Sequence, residues 1–328
     1  MNLVQIRRSI LARFGTKTPT LKWAVEEYLY FRGFLWISGW ILRQEQIRSL
    51  SGEFPGSVRQ PFVGPTSLPS QDLERVYGPD GRDARFSCHM PMSNAGAALE
   101  MRLFVETRSG KRIELENFRS TLLAADPFHA LISHFFGRLS DMKIGRVLEI
   151  GSRNRSGIVR KGLIPSQLEY VGLDILPGEN VDLVGDAHEM SLLFPPESFD
   201  AIFSMSVFEH LMMPWKAVLE MNRVLKPGGL IMVTSHQTWP VHEVPWDYWR
   251  FSDQAWHALF HTLTGFEVLE TALGEKASIV AHALHPITKD LELQSAFGGS
   301  AVLCRKVGET SLKWDVRVKD ITDTRYPR

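Results

Sequence analysis

The chain has 328 residues and carries 37 basic and 37 acidic side chains, so its formal charge at neutral pH is zero. That balance argues against a protein whose affinity rests on nucleic-acid phosphates. Its two cysteines, Cys88 and Cys304, lie far apart, which excludes a disulfide scaffold and a cysteine zinc site as organising features.

The first 22 residues contain Arg7, Arg8, Arg13, Lys17 and Lys22 and no acid. Ile6, Ile10, Leu11 and Phe14 can form one face of a short basic helix touching a membrane surface or a partner. A solvated leader that frays is the alternative. The start lacks the apolar segment and cleavage site of a secretory signal, so a cytoplasmic location is expected. The longest apolar run, Phe34 to Leu42, is about half a membrane span, and no transmembrane segment is expected.

Residues 23–118 read as β. Leu99, Met101, Leu103 and Val105 alternate with Glu100, Arg102 and Glu106, the period of a half-buried strand over 99–107. Arg108-Ser109-Gly110-Lys111 supplies a turn, after which Ile113 and Leu115 resume the alternation as a hairpin. Residues 34–41 and 46–51 read as further strands, and no long helix is expected. This pattern predicts a small antiparallel sandwich, with Trp36 and Trp40 assigned to its core.

Residues 128–140 read as an amphipathic helix through Ile132, Phe135, Phe136 and Leu139. Strands and helices then alternate. Strands are expected at 146–150, 170–175, 181–185, 199–205 and 230–235. Pro214 opens one helix and Ser252 caps another, with Trp256, Leu259, Phe260 and Leu263 on its stripe. Two β runs, 266–271 and 301–307, close the folded part. Alternating β and α predicts a mostly parallel sheet covered on both faces. Residues 309–328 are polar and read as a loose tail. The expected organisation is therefore a leader (1–22), a β-sandwich module (23–118), an α/β domain (119–308) and a tail.

The informative string is Val147 to Gly157, VLEIGSRNRSG. A buried strand ends at Ile150, Gly151 lets the chain turn and a ligand approach, and a helix is expected to follow. Asp174 ends the next strand, where a carboxylate can accept both hydroxyls of a ribose. Asp186 ends the one after, where it can accept from an adenine amino group. Three successive strand ends thus address one nucleoside-type ligand.

Together with YVGLD, GDAHEMSLLFPPESFDAIFSMSVFEHL and RVLKPGGLIMVTS, that string resembles class I S-adenosylmethionine-dependent methyltransferases of the type 11 kind, over roughly residues 128–308. The resemblance implies a Rossmann-like seven-stranded sheet, its last strand antiparallel and paired with the strand at 266–271, and S-adenosylmethionine as cofactor. By position, Glu149, Gly151, Ser152 and Arg153 would meet the methionine part. Asp174 with Ile175 would take the ribose, and Asp186 with Ala187 the adenine. Ser204 and Ser206 would lie beside the sulfonium. Arg153 and Arg155 stand where the family carries its second and third glycines. A guanidinium there can pair with the cofactor's carboxylate or turn to solvent.

Methyl transfer to a hydroxyl is helped by a base of near-neutral pKa, which suits histidine. His242 ranks first, then His236. His210 follows Glu209, a pair that recurs across the family and reads as architectural. The loop QTWPVHEVPWDYWR (237–250) offers Glu243, Asp247, Tyr248 and Arg250 among tryptophans, a surface suited to a sugar acceptor. A metal site from His236, His242 and Glu243 is conceivable, but no HExxH or comparable spacing supports it, and none is expected. The first half also vaguely resembles β-sandwich modules joined to bacterial polysaccharide-biosynthesis enzymes, through Gly39-Trp40 and its strand rhythm, which implies a glycan context. A nicotinamide-dependent oxidoreductase and a non-catalytic binding or assembly protein are the alternatives. Against the first, GSRNRSG does not match GxGxxG. For the second, two glycines are missing. Oligomeric state is left open.

Overall fold

The computed structural model describes residues 21–42, 47–56, 59–124, 126–155, 157–283, 285–291 and 294–322. The basic leader expected at the start thus lies almost wholly outside the described residues. Two compact units divide the chain, Met1–Ala124 and Ala125–Arg328.

In the first unit, β1 (Trp23–Phe31), β2 (Phe34–Ile41) and β5 (Arg85–Pro91) form one antiparallel sheet. The strands β4 (Gln60–Pro61), β3 (Ile47–Glu53), β6 (Arg102–Thr107) and β7 (Arg112–Glu114) form a second, in that order. Leu35, Ile37 and Ile41 of the first sheet share one apolar core with Leu50, Leu103 and Val105 of the second. Because strand side chains alternate, placing those residues inside turns Trp36 outward, 43% exposed, and leaves Trp40 half-buried against Tyr77. Neither tryptophan is the core residue expected.

The expected strand at 99–107 is also shorter at its start. The Asn94 side chain accepts from Ala97 N at 2.9 Å and caps a helical turn, Ala95–Glu100, which leaves Leu99 exposed. A further short helix, Gln71–Tyr77, was not foreseen.

The second unit is built on a seven-stranded sheet. Its strands are β8 (Gly145–Ile150), β9 (Leu168–Asp174), β10 (Leu183–Val184), β11 (Phe199–Met205), β12 (Leu225–His236), β13 (Phe266–Ser278) and β14 (Ser295–Lys306). Their order is β10-β9-β8-β11-β12-β14-β13, and β14 alone runs antiparallel, paired with both β12 and β13. This is the Rossmann-like arrangement, and its parallel strands deliver Ile150, Asp174, Met205 and His236 to one edge.

Helix α1 of this unit (Pro127–Ser140) is capped by Asp126 and buries Phe128, Leu131, Phe135 and Leu139. Helix α2 (Pro214–Val224) starts at Pro214 and buries Ala217, Val218, Met221 and Val224. Helix α3 (Asp253–Leu259) takes Ser252 as its cap, and Leu263 lies outside its stripe, exposed.

No α-helix follows Gly151. The Asn154 side chain accepts from Gly157 N, and Asn154 itself bonds Glu179 through backbone and side chain. These bonds hold an irregular bend that ends in the single turn Arg160–Leu163. An Asn bonding its own loop competes with helix formation.

Nor are residues 309–322 loose. Buried Lys306 donates to the carbonyls of Asn222 and Leu225 at the end of α2 and pairs with Glu309. Lys216 Nζ donates to Val316 O, and Trp314 packs edge-on against Trp215. A last short helix spans Val318–Ile321. No described helix is long and apolar enough to cross a membrane.

Candidate active site

A cavity of about 910 Å³ opens at the carboxyl ends of β8, β9, β11 and β12. Its floor begins at Gly151. That residue has φ +81°, and a Cβ there would collide with Val207. Only glycine therefore fits the turn.

Arg153 lies along the wall, its stem packed where a side chain on Gly178 would stand. Arg155 reaches instead to Glu243, Nη2 to Oε1 2.8 Å, joining the Gly151 bend to the 237–250 loop. Neither arginine fills the cavity, and Arg160 lines it as well.

Asp174 carries the acceptor capacity that a ribose diol needs. Its Oδ1 accepts from Leu176 N at 3.0 Å and its Oδ2 from Arg153 N at 3.2 Å. A carboxylate offers about four lone-pair positions, so each oxygen keeps one. Asp186 Oδ1 accepts from both the backbone and ring nitrogens of His188, at 2.8 and 2.6 Å. Met213 N donates to the other ring nitrogen of His188, which fixes the proton on Nδ1. Burial pushes the Asp186 carboxyl up, but the His188 bonds and the Lys216 charge outweigh it and hold it below the usual range. Arg153 Nε, buried and without a hydrogen-bond partner, stands 3.7 Å from Asp174 Oδ1 as an ion pair.

Beyond Met205, at the end of β11, Ser206 faces the cavity with φ +55°. Glu209, His210, His236 and His242 follow on the same wall. The Glu209 side chain is fully buried. Its Oε2 accepts from Ser235 Oγ at 2.7 Å, while Oε1 stands 3.3 Å from His236 Nε2 and 3.8 Å from His210 Nε2. His236 stacks on Trp239 with ring centroids 4.6 Å apart. The 237–250 loop is closed by Arg250, which grips both oxygens of buried Asp247 and donates to the carbonyls of Trp239 and Pro240. The Arg250 bonds hold the Asp247 carboxyl far below its ordinary value.

Of the residues singled out from sequence, Gly151, Arg153, Asp174, Ile175, Asp186, Ala187, His210, His236, His242 and Glu243 all line this cavity. Six others do not. Glu149 lies beneath the floor, accepting from Tyr170 Oη at 2.5 Å with Arg160 nearby, and burial pushes its carboxyl up. Ser152 is buried against Gly172. Ser204 donates to Ile150 O inside the sheet. Asp247 and Arg250 spend their groups on each other, and Tyr248 sits outside the wall.

Sequence reasoning missed His188, Glu189, Trp246 and the C-terminal Arg317, Val318, Lys319 and Thr322, all of which line the cavity. The Asp186-x-His188 spacing was a signal for the first. Trp314, a large apolar anchor in a polar stretch, was one for the last.

The methyltransferase domain family matches residues 155–233. A stretch of 85 residues is 36% identical to 2-methyl-6-phytyl-1,4-hydroquinone methyltransferase of Synechocystis, covering 24% of this chain and 26% of that one. Another of 150 residues is 29% identical to an uncharacterised methyltransferase of Mycobacterium tuberculosis, covering 42% and 57%. The chain thus spans about a quarter to a little over half the length of these relatives. Solved SAM-dependent methyltransferases from Archaeoglobus fulgidus and Aquifex aeolicus superpose with TM-scores of 0.40 and 0.35, at 17% and 16% identity. Each covers 54% of this chain, which in turn spans 92% and 89% of theirs. The matched residues, 155–233, lie within the second unit, and a methyltransferase domain on this Rossmann-like sheet implies S-adenosylmethionine as its cofactor.

Proposed function

We propose that this chain transfers a methyl group from S-adenosylmethionine to an oxygen of a small, carbohydrate-type acceptor. The observation that carries the reading is the convergence of Asp174, Asp186 and a buried glutamate–histidine cluster on one cavity at the carboxyl edge of the sheet.

When bound, the cofactor supplies a methyl group on a sulfonium, whose in-line displacement demands positioning above all. Asp174 holds the ribose hydroxyls, and the spare oxygen of Asp186 takes the adenine amino group. Arg153 pairs with the methionine carboxylate, Arg155 being held by Glu243 and Arg160 lying near Glu149. Ser206, at the end of β11, marks the reacting position. An acceptor hydroxyl reaching it meets His210, His236 and His242, where the proton is taken up. Glu243 and Trp246 line the acceptor side, and Trp239 lies against His236. Aromatic faces beside carboxylates suit a sugar ring.

The glycan context, including a place in bacterial surface polysaccharide synthesis, rests on the resemblance of the first unit's sequence. The test is transfer of a labelled methyl group to a panel of monosaccharides, phenols and amines. Labelled, base-stable methyl ethers on sugars support the reading. Transfer confined to amines or carbon acids overturns the oxygen assignment. No transfer to any acceptor, despite cofactor binding, favours a binding protein.

A further inference from the structure

We propose that Glu209, His236 and His242 form a binding site for a divalent transition-metal ion in the wall of the methyl-transfer cavity. One ligand atom from each lies within 4.8 Å of the other two. Glu209 contributes the strongest sign. Its side chain is wholly buried, yet Oε1 has no hydrogen-bond partner, while Oε2 is held by Ser235. A buried carboxylate oxygen without a donor is costly, and a cation satisfies it.

The imidazoles are braced as metal ligands are. The Nδ1 of His242 bonds the Pro240 carbonyl at 3.1 Å, and the Gly298 backbone hydrogen-bonds the ring of His236. In His242 the carbonyl on Nδ1 fixes the proton there and leaves the Nε2 lone pair for a ligand. His236 Nε2 stands 3.3 Å from Glu209 Oε1.

A second group, His210, His242 and Asp247, shares His242 but is the weaker one. Both Asp247 oxygens are already bonded to Arg250 and one also to His242 N. That pairing also compensates the Arg250 charge, which acts on His236.

Two imidazoles and one carboxylate favour Zn²⁺, Co²⁺ or Fe²⁺ over Mg²⁺ or Ca²⁺, which prefer oxygen donors. Its role rests on the methyltransferase reading: a cation there lowers the pKa of an acceptor hydroxyl and takes over from imidazole the task of readying it.

The test uses the full chain without a polyhistidine tag, stripped with a chelator and titrated with Co²⁺ and Zn²⁺. One equivalent should bind and give the d–d absorption of Co²⁺ in a low-coordination nitrogen–oxygen site. Glu209→Gln and His242→Gln should each weaken binding by about 100-fold or more and change the spectrum. His242 lies in a surface loop, so its variant remains informative if the Glu209 variant misfolds. His134→Gln, on the surface, should change nothing. Binding without that absorption, or equal affinity in the wild type and His242→Gln, would overturn the proposal. Calorimetry with S-adenosylhomocysteine on the stripped protein separates the two claims. Cofactor binding without stoichiometric metal sinks this inference alone, and metal binding without cofactor affinity sinks the functional reading alone.

Discussion

Single positions decide whether this cavity exists. Gly151 meets two constraints at once, a left-handed φ and contact with Val207. Gly151→Ala should therefore cost about 1–3 kcal/mol, read by thermal unfolding. A change below a few tenths would show that the bend relaxes freely. Asp186 gives a pH signature. Its folded pKa lies below the ordinary value, so its bonds to His188 stabilise the fold fully above the usual carboxylate range. That contribution is lost as pH falls through the folded value. Asp186→Asn should therefore melt below the wild type at neutral pH, with the gap closing towards acid; a constant gap would contradict the linkage.

At the scale of elements, the 237–250 loop is a preformed part of the site. Its clasp is Arg250 on Asp247, whose side chain is only 1% exposed. Arg250→Ala leaves the Asp247 carboxylate only its bond from His242 N, a loss of about 1–3 kcal/mol for a hydrogen-bonded charge. Limited proteolysis should then cut within 237–250, where the wild type resists.

The β-strands of the second unit were legible because buried parallel strands carry continuous apolar runs, such as Val147–Ile150 and Phe199–Met205. The helix expected after Gly151 was not there, because Asn154 and Gly157 bond within the bend, a competition that periodicity does not register. Likewise Asp247 and Arg250 have the composition of substrate ligands. Their mutual pairing is a tertiary fact.

For the whole molecule, strand ends far apart in sequence meet at one edge, which is why Asp174, Asp186 and the histidines line one cavity. The contribution of the C-terminal segment was not readable, since residues 309–322 have the polarity of a tail. They are held by Lys216, Trp215 and Lys306 and bring Arg317 to Glu189 beside the cavity. Removing residues 310–328 should weaken cofactor binding by about tenfold or more, since ordered contacts of this kind contribute about 1 kcal/mol each; unchanged affinity would mean that the segment is only a bystander.

The central claim is that the cavity at the sheet edge holds an adenosyl ligand through Asp174. Titration calorimetry with S-adenosylhomocysteine tests it most directly. The account predicts one site per chain, and an affinity about 10- to 100-fold weaker in Asp174→Ala, the loss of charge-assisted bonds to two hydroxyls. Equal heats for both proteins, or no heat from the wild type, would contradict it.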